Sequence, residues 1–223
     1  HNQSIDEKIE EANENANVSE IEIQDLERKK IIPIVGCEFQ VCPDRNDKTY
    51  KNNGYQVPFL AKNKKGYQNL IKLSSIGFIE GFYYVPRIDK NIILEYSNDL
   101  IVTSGGLYGE IAQLILNEGE QKAEQALIWW KENFKDDFYI EINRHSLEEE
   151  EKVNEVLLRF AKKHSIKYFA SNDTHYLNKE DAGAHDVLLC IKDGERKSTP
   201  IGRGRGFRFG FMNTEYYFKS QRE

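Results

Sequence analysis

A carboxylate and an imidazole stand two positions apart where an apolar run ends. Asp173 and His175 follow residues 166–170, a short apolar and aromatic run typical of a β-strand. Side chains alternate along a strand with a period of two, so this pair points to one side and both groups can reach one cation. The competing interpretation is structural: Asp173 caps the helix that begins near Asn178, and His175 binds a backbone carbonyl. Spacing alone favours the structural interpretation, because Asp-x-His is a short pattern.

Glu38 is a second carboxylate next to an apolar run. Residues 31–35 read Ile-Ile-Pro-Ile-Val, which predicts a buried strand that Gly36 and Cys37 terminate. We therefore expect Glu38 at a strand end, although an exposed loop glutamate fits the pattern equally well. The cysteines at positions 37 and 42 lack further thiol or imidazole neighbours for a zinc cluster, so we interpret them as packing residues.

The composition is that of a soluble globular chain. Its 223 residues, 39% of them hydrophobic, suit one large domain or two small ones. No apolar run approaches the roughly 20 residues that a membrane-crossing helix needs, and the first residues do not resemble a signal peptide. The three cysteines form no even disulfide framework, so we expect a cytoplasmic protein without membrane contact.

Strand-type and helix-type segments alternate from residue 31 to residue 191, which predicts an α/β fold with parallel strands. Pro58 cannot donate to a strand ladder, which predicts an edge or bulge for its strand. We expect three regions: an acidic helical insertion or fragment edge over 1–30, the core over 31–195, and a basic Gly/Arg/Phe-rich segment over 196–223. The predicted strands are 31–35, 55–61, 100–103, 138–142 and 166–170, and the predicted helices include 67–79, 120–134, 147–164 and 178–191.

With these elements in place, the chain resembles the PHP (polymerase and histidinol phosphatase) domain of the alpha subunit of bacterial replicative DNA polymerase III. The resemblance extends over about residues 30–222, in the family's order and spacing, and the acidic start and segment 202–210 resemble alpha subunits of the Bacteroidetes type. The stretches that carry the resemblance are 30–38, 60–63 with 66–73, 81–84 with 86–89, 104–105 with 109–110, 144–145, 172–176 and 184–191.

The resemblance implies a partial, distorted (β/α)7 TIM-like barrel whose strand ends hold Zn²⁺ or Mn²⁺. Glu38, Asp173 and His175 match ligand positions of the family. Gln56 stands where the family has a histidine, and Gly106 stands where it has a cysteine. The family's opening His-x-His and later Asp-His pairs have no counterpart before residue 30, so the resemblance implies a weak or degenerate metal site.

The function that the resemblance implies is DNA-directed DNA polymerisation in chromosome replication, a nucleotidyl transfer. The polymerase site with its Mg²⁺ would lie on a separate domain outside this chain, which would be mainly structural. The implied partners are the remaining polymerase domains of the same subunit, DNA in the full-length protein, and proofreading and sliding-clamp subunits. A metal-dependent phosphoesterase or 3′–5′ exonuclease is the alternative, and a pure interaction module is a third.

The basic segment suggests contact with nucleic acid despite the net charge of −6. Arg203, Arg205 and Arg208 are interleaved with glycines, and flexible arginines contact phosphate while Phe207 stacks on a base. The competing interpretation, which we favour from the sequence, is a mobile loop that docks on the neighbouring polymerase domain.

Overall fold

The computed structural model describes residues 2–14, 20–202, 204–220 and 222, and the chain divides into two compact units, His1–Val35 and Gly36–Glu223. The first unit contains α1 (Asn2–Glu14) and α2 (Glu20–Arg28). The Asn2 side chain donates to the carbonyl of Ile31 at 2.7 Å and accepts from its amide at 2.8 Å. These two bonds hold the end of the unit against the start of α1.

The strand predicted over 31–35 is wrong. These residues adopt no regular structure, and their isoleucines are exposed. Pro33 offers no N–H to a ladder, so an apolar run alone was insufficient evidence for a strand here. The strand begins at Gly36 instead, and Glu38 is consequently its third residue and not a residue at its end.

The second unit is built on a mixed sheet. Among the described residues it has six strands in the order β3–β1–β2–β4–β5–β6. The three strands β4, β5 and β6 are parallel to one another, and β1 is parallel to β3, but β2 runs antiparallel to both of its neighbours. The strands are β1 (Gly36–Cys42), β2 (Tyr55–Ala61), β3 (Arg87–Asp89), β4 (Leu100–Thr103), β5 (Phe138–Asn143) and β6 (Lys167–Ser171).

The α/β class is confirmed, and the architecture agrees with a partial, distorted barrel of alternating strands and helices. The expectation of uniformly parallel strands is wrong at β2, and so is the expectation that Pro58 places β2 at an edge. Pro58 lies opposite Glu38 on β1, but the pairing of β2 with β4 begins only at Phe59. An internal strand thus accommodates the proline because its second ladder starts one residue later.

Helices cover one face of the sheet. The Phe59 ring packs edge-on against Trp130 and Phe134, with ring centroids 6.1 and 6.0 Å away. Its strand neighbours on the same face are buried with it in one hydrophobic core. The helices of this unit are α3 (Lys64–Ile79), α4 (Lys90–Glu95), α5 (Glu110–Asn117), α6 (Glu120–Phe134), α7 (Glu148–His164) and α8 (Ala182–Asp193). None of the described helices combines the length and hydropathy that a membrane span requires.

The other face of the sheet carries the polar side chains. Since strand side chains alternate, residues next to the buried ones point away from the helices. Glu38, Gln56, Thr103, Glu141 and Asn143 occupy such positions on β1, β2, β4 and β5. This polar face is where the candidate site lies.

Candidate functional site

Three carboxylates from distant parts of the chain lie near one another on the polar face. Partial burial raises the pKa of Glu38, and the negative charges of Asp173 and Glu141 raise it further. Glu141 itself accepts from the Thr103 hydroxyl at 2.9 Å and from the Asn143 amide at 3.3 Å. The structure therefore brings Glu38 and Asp173 together as the sequence suggested, and it adds Glu141.

The side chains of Asp173 and His175 are in contact directly after β6. The distance from His175 Nε2 to the nearer Asp173 carboxylate oxygen is 3.0 Å, and both side chains are partly open to solvent. The His175 ring also packs against Phe211 and His185, with ring centroids 4.6 and 5.5 Å away. His185 of α8 is thus a second imidazole beside the site.

Gln56 and Gly106 lie beside the same group of residues. The backbone N–H of Gln56 donates to the carbonyl of Tyr108 at 3.0 Å, which holds the loop after β4 against β2. A Cβ at Gly106 would lie 2.9 Å from Asn143 Oδ1, so the amide of Asn143 fills the space beside this glycine. Asn143 is buried, and its Oδ1 accepts no hydrogen bond from the described residues.

A small cavity of about 10 Å³ adjoins Asn143, Glu141 and Gly106, and its wall includes Glu150 from α7. This volume is near the least that holds one water molecule, and a site for a water needs polar partners such as these. The cavity is too small for an organic substrate. Any larger ligand must therefore approach from the open side of the polar face.

A buried histidine positions Asp173. The amide of Asp173 donates to His145 Nε2 at 3.1 Å, while His145 Nδ1 lies 2.6 Å from the Glu150 carboxylate. Because Nε2 accepts, the ring must be neutral and must carry its proton on Nδ1, which donates to Glu150. The ring stacks on Tyr216 with centroids 4.5 Å apart, and the His145 carbonyl accepts from the Asn213 side chain at 2.6 Å.

Glu150 is ionised because of His145. Burial opposes the charged form of Glu150, but hydrogen bonds from the ring and the backbone amide of His145 outweigh it and lower the pKa of this carboxyl. Four glutamates occupy the first turn of α7, where the helix dipole favours negative charge, and Glu150 is the buried one. From the sequence, His145 was named only within the stretch 144–145, and Glu150 was missed. Glu141 and Asn143 had a signal in their alternation with apolar residues along β5.

The predicted metal ligands do not form a ready metal site. Among the described residues, no group of three His, Cys, Asp or Glu side chains is arranged to hold a metal ion. Asp173 is engaged by His175, and Gln56 and Gly106 contribute neither a carboxylate nor an imidazole. The residues as they stand do not fit the implied metal, so we derive no reaction step that passes through one.

The basic segment divides into an inward and an outward part. Arg208 is buried and binds Asp186 with both terminal nitrogens, at 2.6 and 3.0 Å, and its Nε donates to the Thr199 carbonyl. The prediction that Arg208 contacts phosphate is therefore corrected, because its guanidinium is committed within the protein. Arg205 and Phe207 are exposed, and Arg203 lies outside the described residues.

Comparison with known proteins supplies a family. A family model described as "PHP domain" matches residues 9–145, more than half of the chain. The DNA polymerase III subunit alpha of Borreliella burgdorferi is 38% identical over 206 residues, which cover 90% of this chain and 17% of that protein. The proteins of the same name from Deinococcus radiodurans and Thermus aquaticus are 38% and 40% identical over 87% and 86% of this chain. The chain spans 15% and 16% of the length of those two relatives.

The ring and the backbone amide of His145 both donate to the Glu150 carboxylate. A glutamine has one oxygen and one NH₂ group, so one of these two donors would face an N–H. We therefore expect Glu150→Gln to destabilise the chain at pH 7 by about 1–3 kcal/mol. The folded-state pKa of Glu150 lies below its unfolded value, so its contribution is present above the unfolded pKa and is lost as pH falls through the folded pKa. The difference between the variant and the unsubstituted chain should therefore shrink towards pH 3. Urea unfolding at both pH values measures it.

The matched control is Glu149→Gln, an exposed glutamate in the same turn of α7, which should change stability by less than about 0.5 kcal/mol. Equal effects of the two variants at pH 7 would contradict the role of Glu150.

Proposed function

The chain belongs to the PHP domain family, and from this premise we propose that it is the PHP domain of a DNA polymerase III alpha-type subunit. The observation that carries the proposal is that relatives named DNA polymerase III subunit alpha align over at least 86% of the chain. The chain spans only 15–17% of those three proteins. We assign nucleotidyl transfer, with its carboxylate-held Mg²⁺, to domains outside this chain.

Within such a subunit we propose a mainly structural role for this domain. The apolar core between the sheet and its helices supports that role. The polar face supports it too, because Gln56 has a neutral amide and Gly106 has no side chain, so neither position supplies a carboxylate or an imidazole. The proposed partners are the remaining domains of the same polypeptide, DNA, and proofreading and sliding-clamp subunits. We propose a cytoplasmic location, where a bacterial chromosome is replicated.

The second candidate is a metal-dependent phosphoesterase or 3′–5′ exonuclease. It is favoured by the closeness of Glu38, Asp173 and Glu141, because repulsion among carboxylates is relieved when they share a cation. Zn²⁺ or Mn²⁺ would be the ion, with Glu38, Asp173 and His175 as its protein ligands. The contact between Asp173 and His175 opposes this candidate, since both must turn outwards to bind an ion.

We also propose that Arg203, Arg205 and Phe207 contact nucleic acid in the full-length protein. Arg205 and Phe207 are exposed next to glycines with positive φ, Gly204 and Gly206, where side chains are rarely tolerated. The buried pair of Arg208 with Asp186 anchors the segment on α8. Docking on a neighbouring polymerase domain is the alternative for the same residues.

The polymerase assignment is tested by primer extension with Mg²⁺ and deoxynucleotides. We expect the full-length polypeptide that contains this chain to extend a primer, and the 223-residue chain alone to incorporate no nucleotide. The 223-residue chain added to a catalytically disabled full-length variant serves as the control and should restore nothing. A full-length polypeptide without template-dependent synthesis would refute the assignment.

The metal question is tested by Glu38→Gln. The folded-state pKa of Glu38 is raised, so ionising it destabilises the protein as pH rises through that pKa. If the site binds no metal, Glu38→Gln should therefore stabilise the chain at pH 7 by about 0.5 kcal/mol. The substitution should bring no gain in stability near pH 4, and neither Mn²⁺ nor Zn²⁺ should change its effect. Thermal unfolding with and without each ion measures this, and Glu132→Gln on the outer side of α6 is the control.

The phosphoesterase candidate predicts the opposite result. Stoichiometric metal would then raise the melting temperature of the unsubstituted chain alone, and Asp173→Ala would abolish a metal-dependent exonuclease activity. That pair of results would overturn the structural role.

Removing two arginines tests the contact with nucleic acid. We expect Arg203→Ala with Arg205→Ala, in the full-length polypeptide, to weaken DNA binding and to lower the slope of log affinity against log salt by roughly one to two. The control removes two exposed cations from α7, Lys152→Ala with Lys162→Ala, and should leave the slope unchanged. An unchanged slope in the arginine variant would favour docking on a polymerase domain.

A further inference from the structure

Helix α3 has an exposed apolar stripe on the side that faces away from the sheet. Tyr67, Ile71 and Phe78 are 48%, 47% and 60% exposed, and Phe82, just beyond the helix, is 48% exposed. We call these four residues and Ser75 between them the outer stripe. Large exposed apolar side chains are ordinary when scattered, but a contiguous group of them marks an interaction site.

The spacing aligns the outer stripe with the helix axis. Tyr67, Ile71, Ser75 and Phe78 are successively four, four and three residues apart, and residues three and four apart lie on one helix face. Phe82, beyond the end of α3, joins them through its stacked contact with Phe78. The opposite side of α3 is buried through Gly66, Leu70, Leu73 and Gly77. A surface helix normally has one apolar face, which packs on the core. Helix α3 has a second apolar face, the outer stripe, which is exposed in this chain.

The surface of the outer stripe suits close packing by another helix. The rings of Phe78 and Phe82 are stacked, with centroids 6.3 Å apart and planes 21° apart, so they form one flat apolar end. In the middle, the Ser75 hydroxyl donates to the carbonyl of Ile71 at 2.9 Å. A small residue with a satisfied hydroxyl lets a neighbouring backbone approach without leaving a polar group unpaired.

The charges on α3 beside the outer stripe are positive, and Glu80, which follows the helix, pairs with Arg45 at 2.9 Å. Lys64, Lys65 and Lys72 are exposed on α3, and the sequence has no acidic residue between positions 62 and 79 in a chain of net charge −6. Two of these lysines stand in the first turn of the helix, where its dipole disfavours cations. These charges therefore do not serve the stability of α3 itself.

We propose that the outer stripe docks an amphipathic α-helix of a protein partner. The partner's apolar residues pack on Tyr67, Ile71 and Phe78, and its carboxylates lie along Lys64, Lys65 and Lys72. This inference goes beyond the proposed function and does not rest on it, because it uses only the geometry and charge of α3.

Other occupants fit these observations less well. A second copy of this chain bound through the same face would place lysines of two helices together with no acidic residue on either α3. Nucleic acid would complement the lysines, but it would leave Ile71, Phe78 and Phe82 facing a charged backbone. A helix with an apolar stripe and acidic flanks satisfies both features at once.

The test uses two labelled synthetic 18-residue helical peptides and the full 223-residue chain. Both peptides carry leucines at helical spacing, but one has glutamates and the other lysines along the flanks. We expect fluorescence anisotropy to show at least tenfold tighter binding of the glutamate peptide. Ile71→Asp should weaken that binding at least tenfold, whereas Leu188→Asp, at a more exposed apolar position on α8, should leave it unchanged.

Charge reversal provides a second readout that does not depend on the apolar contact. Lys64→Glu with Lys65→Glu should shift the preference towards the lysine peptide, while circular dichroism reports that the variants remain folded. Three results would overturn the proposal: equal binding of both peptides or of neither, displacement of the glutamate peptide by duplex DNA, or a dimer in sedimentation that Ile71→Asp dissolves.

Discussion

The hydrogen bond from the Asp173 amide to the ring of His145 is the constraint on which the polar face depends. For Nε2 to accept it, the imidazole must carry its proton on Nδ1, and the Glu150 carboxylate favours this tautomer by accepting a hydrogen bond from Nδ1. This chain of bonds joins the end of β5, the first turn of α7 and the loop after β6. Tyr216 and Asn213 attach the last part of the chain to the same histidine. Because His145, Glu150 and Tyr216 are buried, loss of one partner leaves another unsatisfied, which gives the arrangement its rigidity.

The carboxylates on the polar face repel one another, and a protein has two ways to relieve such repulsion. It can hold a cation between them, or it can keep a proton on one of them. In this structure burial and the charges of Asp173 and Glu141 raise the pKa of Glu38, which makes this carboxyl easier to protonate than an isolated glutamate. The helical side of the same sheet has no such conflict, because Phe59, Val102 and Ile140 are buried among apolar neighbours. The two faces of the sheet therefore differ: one packs the apolar core that stabilises the fold, and the other holds the carboxylates that repel one another.

Local patterns predicted most of the elements. The helix over 120–134 and the strands over 55–61 and 100–103 have the predicted bounds, because periodicity and turn residues are local signals. Strand direction is not local, so the antiparallel course of β2 did not follow from the sequence, and the short β3 and α4 had too few residues to give a pattern. For the site, the closeness of Asp173 and His175 followed from their spacing. The partners of Arg208 and His145 depend on tertiary packing, and neither Asp186 nor Glu150 is identified by spacing alone.

The contact between Gly106 and Asn143 has a consequence for how such a site changes over generations. A cysteine at position 106 would bring its Cβ to 2.9 Å from Asn143 Oδ1, closer than carbon and oxygen normally approach. The buried amide must therefore turn aside or be replaced before a thiol fits there. The effect of a substitution at position 106 thus depends on the residue at position 143. A side chain at 106 is tolerated only after Asn143 has moved or been replaced, so the order of the two substitutions matters.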